Sequence, residues 1–240
     1  MRRSVASALV LFIVLALVAV AGLGGYEYLK VSVIEVSGAE YFSRDEITSL
    51  AGIPPDVNIF LLDESKIREN INQDPRVQFE SLERVLPDKI ILHVQERLSA
   101  CVTKYTNSYL LLDKDGFVLE IAEDDAPGGY PLVVGLGISG VSVGDRLEVT
   151  DVYQLNLLRD LITSINASDL KAAVNKIDLS EPANLTMDIA PGFTIKLGDN
   201  SNIHNKLNWA ISVVPELLGR GITSGVVDVS SGQSAVYMPD

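Results

Sequence analysis

The chain has a single cysteine, Cys101, so no intramolecular disulfide can form and stability must come from packed cores. Histidine is nearly absent as well: His93 and His204 lie in different segments, and a zinc site built on them would need a third ligand close by. Basic residues are in deficit, with 19 Lys and Arg against 32 Asp and Glu and a formal net charge of −13. A phosphate backbone is bound by a basic patch, so this balance excludes nucleic acid as a partner. The glycine patterns that cradle phosphates or dinucleotides are missing, as is the G-x-S-x-G turn that presents a nucleophilic serine. Gly137-Ile138-Ser139-Gly140 has the wrong spacing for that turn. Asp113-Lys114-Asp115-Gly116 opens like a calcium loop, but the closing bidentate acid is lacking, and a hairpin turn is expected instead. Glu123-Asp124-Asp125 reads as a solvated loop, and Cys101 as a small buried hydrophobe. No catalytic, cofactor-binding or metal-binding residue is assigned, and no cofactor is expected.

Charge is also missing from one long stretch. No charged residue occurs from Ser4 to Tyr26, and Val5–Ala21 is built of Val, Leu, Ile, Ala and Phe with one Ser. A helix over residues 4–25 would span roughly 33 Å at about 1.5 Å per residue, enough for a hydrocarbon core of about 30 Å. Arg2 and Arg3 precede it and Glu27 follows, which places residues 1–3 in the cytoplasm and the bulk outside it. Tyr26 and Tyr28 fall where an interfacial aromatic belt is expected. The rival reading is a cleaved secretory signal with an A-x-A site at Ala19-Val20-Ala21; an apolar run longer than such signals carry favours a retained anchor.

Beyond a linker at 26–30, hydrophobic residues at 47 % and charged residues at 21 % of the chain describe ordinary globular material rather than disorder. Val31–Val36 is β-branched and mostly alternating, a strand that turns at Ser37-Gly38. Ser43-Arg44-Asp45-Glu46 is a capping box, in which hydroxyl and carboxylate satisfy each other's free backbone N–H groups. Ile47 and Leu50 follow at helical spacing, and Gly52 and Pro54-Pro55 stop the helix. Asp63 caps a second helix that carries Ile67 and Ile71 on one face and ends at Asp74-Pro75. Strands over 77–86 and 90–95 are joined by the turn Leu86-Pro87-Asp88-Lys89. The order is β-α-α-β-β over 31–97.

The remainder, 98–240, reads as a mixed α/β domain dominated by a sheet. Strands are expected over 100–105, 109–113, 117–121, 132–134, 177–179, 185–189 and 193–197, and over 225–229 and 234–238. Asp151 caps a helix carrying Leu155, Leu158, Ile162 and Ile165, and a second helix carries Ile203, Leu207, Ala210, Val214 and Leu218, with a kink expected at Pro215. Trp209 is read as a helix–sheet packing residue. The fold class is therefore α+β.

Ile34-Glu35-Val36-Ser37-Gly38, Ser43-x-x-Glu46-Ile47, Asn58-Ile59-Phe60 and Asp74-Pro75-x-Val77 together resemble a POTRA domain. With Leu86-Pro87-Asp88, Val94-x-Glu96-Arg97, Asp113-x-Asp115-Gly116, Tyr130-Pro131-Leu132, Lys196-Leu197-Gly198 and Val227-Asp228-Val229, nearly the whole chain is similar to the FtsQ/DivIB family of bacterial cell-division proteins. Asp56 stands where that family has glycine and Arg76 where an aromatic is common.

The resemblance implies a divisome scaffold at the septum that joins FtsB and FtsL and helps license septal peptidoglycan synthesis. It places the FtsB contact, by position, on Val226, Val227, Asp228 and Val229 and on Ala235, Val236, Tyr237 and Met238. An exposed sheet edge there offers alternating N–H and C=O groups to an added strand, and Tyr237 and Met238 offer side-chain contacts. A membrane-anchored hydrolase and an extracytoplasmic ligand sensor stay open as other classes. The first needs a clustered acid–base pair in a pocket; the second needs a cytoplasmic output for which three residues leave little room.

Overall fold

Apolar side chains gather in two separate cores, one formed by residues up to Glu96 and one by residues from Arg97 onward. The computed structural model describes Phe12 and residues 28–123, 125–170 and 172–239. The expected tail, transmembrane helix and first linker residues lie outside the described residues, Phe12 apart. Among the described residues no helix is long and apolar enough to cross a membrane.

In the first unit, β1 (Val33–Ser37) runs parallel to β3 (Lys89–Glu96), which pairs on its other side with antiparallel β2 (Val77–Val85), giving the order β1-β3-β2. Helix α1 (Arg44–Ala51) begins at the expected capping box: Glu46 N donates to Ser43 Oγ at 3.3 Å and Ser43 N donates to Glu46 Oε2 at 2.8 Å. Helix α2 (Glu64–Ile71) begins at Asp63, whose Oδ1 accepts from the N–H groups of Ser65 and Lys66. Its α-helical pairing ends at Ile71, and tighter turns, from Gln73 N to Asn70 O at 3.3 Å and from Asp74 N to Ile71 O at 3.2 Å, lead on to the expected Asp74, while the Asn72 side chain accepts from Phe79 N at 2.8 Å. Ile47, Ile67 and Ile71 from the helices meet Phe79, Ile90, Leu92 and Val94 from the sheet.

Asp56, the residue in a glycine position, has φ +57°, the left-handed region that glycine enters without penalty. Arg76, in the other unusual position, lays its guanidinium 5.1 Å from the centre of the Phe42 ring. A cation thus covers apolar surface there in place of a second aromatic.

The second unit is built on nine strands: β4 (Ser99–Tyr105), β5 (Ser108–Asp113), β6 (Val118–Ala122), β7 (Leu132–Val134), β10 (Val174–Asp178), β11 (Leu185–Ile189), β12 (Phe193–Gly198), β13 (Gly225–Asp228) and β14 (Val236–Met238). Their order is β14-β13-β12-β11-β10-β7-β4-β5-β6. The short strand β7 pairs parallel to β4 on one side and to β10 on the other, joining the antiparallel set β4-β5-β6 to the strands from β10 to β14, among which β12 and β13 are parallel. A two-stranded ribbon, β8 (Ile138–Gly140) with β9 (Glu148–Val149), stands outside this sheet.

Helix α3 (Val152–Asn166) buries Leu157, Leu158, Leu161 and Ile162, and helix α4 (Ile203–Gly219) buries Leu207, Ala210, Val214 and Leu217. These pack with Phe193, Ile195 and Leu197 of β12 and Val227 of β13. Helix α4 passes through Pro215 without ending. The chain therefore has an α+β fold with a sheet-rich second unit, as its periodicities indicate.

Candidate partner-binding edge

Strand β14 stands at one end of the nine-strand order, and β13 lies inside it, paired parallel to β12 and antiparallel to β14. Only β14 of this hairpin therefore keeps a side on which a further strand can add. The opposite end of the sheet, β6, is partly closed: Val118 N donates to Asp145 O at 2.9 Å and accepts through its carbonyl from Gly144 N at 2.8 Å.

The register divides the eight expected contact residues between two faces. Val227 and Val229 are fully buried against the helices, and Tyr237 stands opposite Val227 on the same face. Ala235 and Tyr237 are half-buried against this core. Val226 stands opposite Met238 and Asp228 opposite Val236 on the other face. There Val226 and Asp228 are half-buried, while Val236 is 55 % and Met238 36 % exposed. The exposed apolar contacts of the edge are thus Val236 and Met238.

Tyr237 has a different task. Its hydroxyl donates to Ser224 O at 3.0 Å, and its ring packs over Gly225, so it pins the last strand to the one before it. Asp228, the charged residue of the set, is held ionised below the usual carboxylate range, chiefly by its hydrogen bond with Ser230. Ser230 N donates to its Oδ1 at 2.9 Å.

The turn between β13 and β14 rests on a buried cation. Lys206, 1 % exposed on α4, donates from Nζ to Asp199 O at 2.9 Å and to Asp199 Oδ1 at 2.8 Å. Its stem passes Gly232, where a Cβ would meet Lys206 Cγ and Cε at 3.8 Å. Beside that turn lies an open cleft of about 450 Å³, lined by Asn205, Asn208, Trp209, Ser212, Gly232 and Gln233. Trp209 is 37 % exposed there, so the expected packing between helix and sheet is not its position. The spacing Asn205, Asn208, Trp209, Ser212 marks a polar stripe opposite the apolar one, a periodic signal that could have placed Trp209 outside the core.

The remaining sequence candidates settle as structural parts. Asp113 Oδ1 accepts from the backbone N–H groups of Asp115 at 2.9 Å and Phe117 at 2.8 Å, closing a tight turn. Burial raises its pKa despite those bonds and the Arg97 side chain, whose Nε lies 3.8 Å from Asp113 Oδ2. Cys101 is fully buried, and burial pushes its thiol up to about 12. His93 pairs with Glu83 at 3.3 Å, and His204 is exposed on α4. Among the described residues no group of three potential ligands could hold a metal ion.

The β-α-α-β-β unit is built like a POTRA domain, and it is followed by a sheet-rich domain with an open terminal edge. Residues 29–97 match the POTRA domain of FtsQ type, and residues 100–230 match the family described as cell division protein FtsQ/DivIB, C-terminal. The chain belongs to the FtsQ/DivIB family. It is 27 % identical to the cell division protein DivIB of Clostridium acetobutylicum, over 88 % of this chain and 83 % of that protein. It is 24 % identical to DivIB of Clostridium botulinum strain Hall over 98 % of this chain and 92 % of that protein. With the cell division protein FtsQ of Syntrophotalea carbinolica the identity is 26 %, over 81 % of this chain and 68 % of the other.

Proposed function

We propose that this cell-division protein is a non-enzymatic scaffold of the divisome, held in the cell membrane by one helix over 4–25. Its tail 1–3 is cytoplasmic, 26–30 is a linker, and the POTRA domain (31–97) and the β-domain (98–240) stand outside the cytoplasm at the septum. There it binds FtsB and FtsL and couples assembly to septal peptidoglycan synthesis. The observation that carries this reading is the open side of β14, which follows residues 100–230 that match the FtsQ/DivIB C-terminal family.

A segment of FtsB adds beside β14 as a further strand, with main-chain hydrogen bonds supplying register and Val236 and Met238 supplying apolar contact. Val226, Val227, Asp228 and Val229 support that edge from behind, and Ala235 and Tyr237 fix its position. The supporting test is a pull-down of residues 26–240 with the extracytoplasmic segments of FtsB and FtsL. Capture that Val236→Lys or Met238→Lys abolishes supports the edge. No capture by a folded fragment removes the edge reading and favours an extracytoplasmic ligand sensor.

A further inference from the structure

We propose that the anchor-side end of the POTRA domain dips into the lipid headgroup layer through Phe60, Leu61 and Leu86, so that the domain is seated on the membrane. This rests on the reading of 4–25 as a membrane anchor.

These side chains are large, apolar and between 59 % and 66 % exposed. They are brought to one end of the three-stranded sheet by its topology. β1 and β3 are parallel and both begin there, at Val33 and Lys89; β2 is antiparallel and ends there, at Val85, just before Leu86. The incoming chain crosses the same end. Ile59 N donates to Leu29 O at 2.8 Å, Val31 N to Val57 O at 2.9 Å, and Ser32 N to Asp88 O at 2.9 Å. Arg84 ties the loop to the strand from the side, through Nε to Ile59 O at 3.1 Å and Nη2 to Leu62 O at 3.3 Å. The two loops that carry these exposed apolar groups are thereby fastened to the residues that follow the apolar segment.

That fastening commits the occupant. Four Cα–Cα steps lead from position 25 to Leu29, and at full extension they reach only about 14 Å. Headgroup layers are each about 5–8 Å deep on either side of a hydrocarbon core of about 30 Å. A cluster held within that reach of the hydrocarbon edge lies in or next to the headgroup layer whether or not any partner is present. Aromatic and aliphatic tips of this kind are what interfacial elements use to enter a bilayer surface. Tyr28, 72 % exposed, stands between the segment and the cluster, where a phenol is suited to the headgroup level. The opposite end of the sheet, where Tyr41 N donates to Glu96 Oε1 at 3.0 Å, is an internal reference, since it also exposes an aromatic residue but is farthest from the anchor.

The test uses the full chain in vesicles of phosphatidylethanolamine and phosphatidylglycerol, with no other protein. Leu61→Cys, Leu86→Cys and Glu40→Cys each carry a polarity-sensitive fluorophore; Cys101 is fully buried and stays unlabelled. Nitroxide on the lipid acyl chains is the quencher, and resistance to carbonate extraction reports integration separately. A label at 61 or 86 loses roughly half of its emission to the quencher, as expected at a depth of about 5–10 Å, while the label at 40 is unaffected. Water-like, unquenched emission at 61 and 86 in carbonate-resistant protein overturns the seating and leaves the anchor standing. Shielding at 61 without lipid quenching also overturns it, in favour of a protein contact. Extraction by carbonate overturns both.

Discussion

The ring of Tyr237 lies against Gly225: a Cβ added there would come within 2.6 Å of Tyr237 Cε2 and 2.9 Å of Met238 O. The backbone of Gly225 also sits at φ +127°, a conformation that side-chain-bearing residues rarely adopt. Gly225→Ala therefore displaces the edge strand and strains the one behind it, at a cost of about 1–3 kcal/mol. Amide exchange at 226–228 and 236–238 should accelerate together; an unchanged exchange pattern would show that the contact is dispensable.

Edge contact and edge position separate by substitution. Val236→Lys and Met238→Lys alter exposed tips and should leave the denaturant midpoint within about 0.5 kcal/mol of the wild type. The same changes should weaken FtsB binding by about tenfold or more, because apolar contact is replaced by a solvated charge. Tyr237→Phe removes only the bond to Ser224 O and should cost stability of about 0.5–1.5 kcal/mol with binding little altered. Calorimetric titration beside urea unfolding distinguishes the two groups of variants.

Asp56→Gly should stabilise the POTRA domain by about 0.5–1 kcal/mol. The aspartate is held at a positive φ, and glycine removes the steric penalty of its Cβ while losing more chain entropy on folding. A higher thermal midpoint checks it, and a lower one would mean that the Asp56 side chain contributes more than its strain costs.

Asp199 should titrate below the ordinary aspartate range. The Lys206 ammonium, and after it Ser201, bring the carboxyl to about 2 from its ordinary 3.8. A depressed folded-state pKa gives stability that is complete above 3.8 and lost as the pH falls through about 2. Carbon-detected NMR should place the Asp199 midpoint near that value, and Lys206→Met should move it up toward the ordinary one. A midpoint indifferent to Lys206 would break the pairing.

Local features of this fold were legible and non-local ones were not. Ser43 and Glu46 announce a helix start because both halves of the bond lie within one turn of sequence. The turn at Leu86–Lys89 is visible for the same reason. By contrast, Leu132–Val134 reads as a strand, but nothing in three residues shows that it pairs in parallel with Val102–Thr103 and with Lys176–Asp178. Asp74-Pro75 marks the latest point at which α2 could continue, but not that its last turn tightens after Ile71 or that the Asn72 side chain bonds to Phe79 N, seven residues on.

At the edge, alternation separates Val227 and Val229 from Asp228, yet only the register shows that Tyr237 shares the buried face. Position in the family points to the hairpin as a whole, and only the register separates its buried residues from its exposed ones. Trp209 looks like core by its aromatic ring alone, whereas its polar companions at 205, 208 and 212 put it on the open side of the helix.

Strand β14 is three residues long and is followed by Pro239, which has no N–H to offer. A visiting strand can gain only a few main-chain bonds from it, each contributing about 0.5–1.5 kcal/mol. So brief a template holds a freely diffusing peptide by few bonds, and it would retain a partner tethered to the same bilayer better, since confinement raises the effective concentration of the second contact without adding a bond. Attachment would then be sensitive to crowding within the membrane plane, and thinning out of the neighbours would be enough to release it.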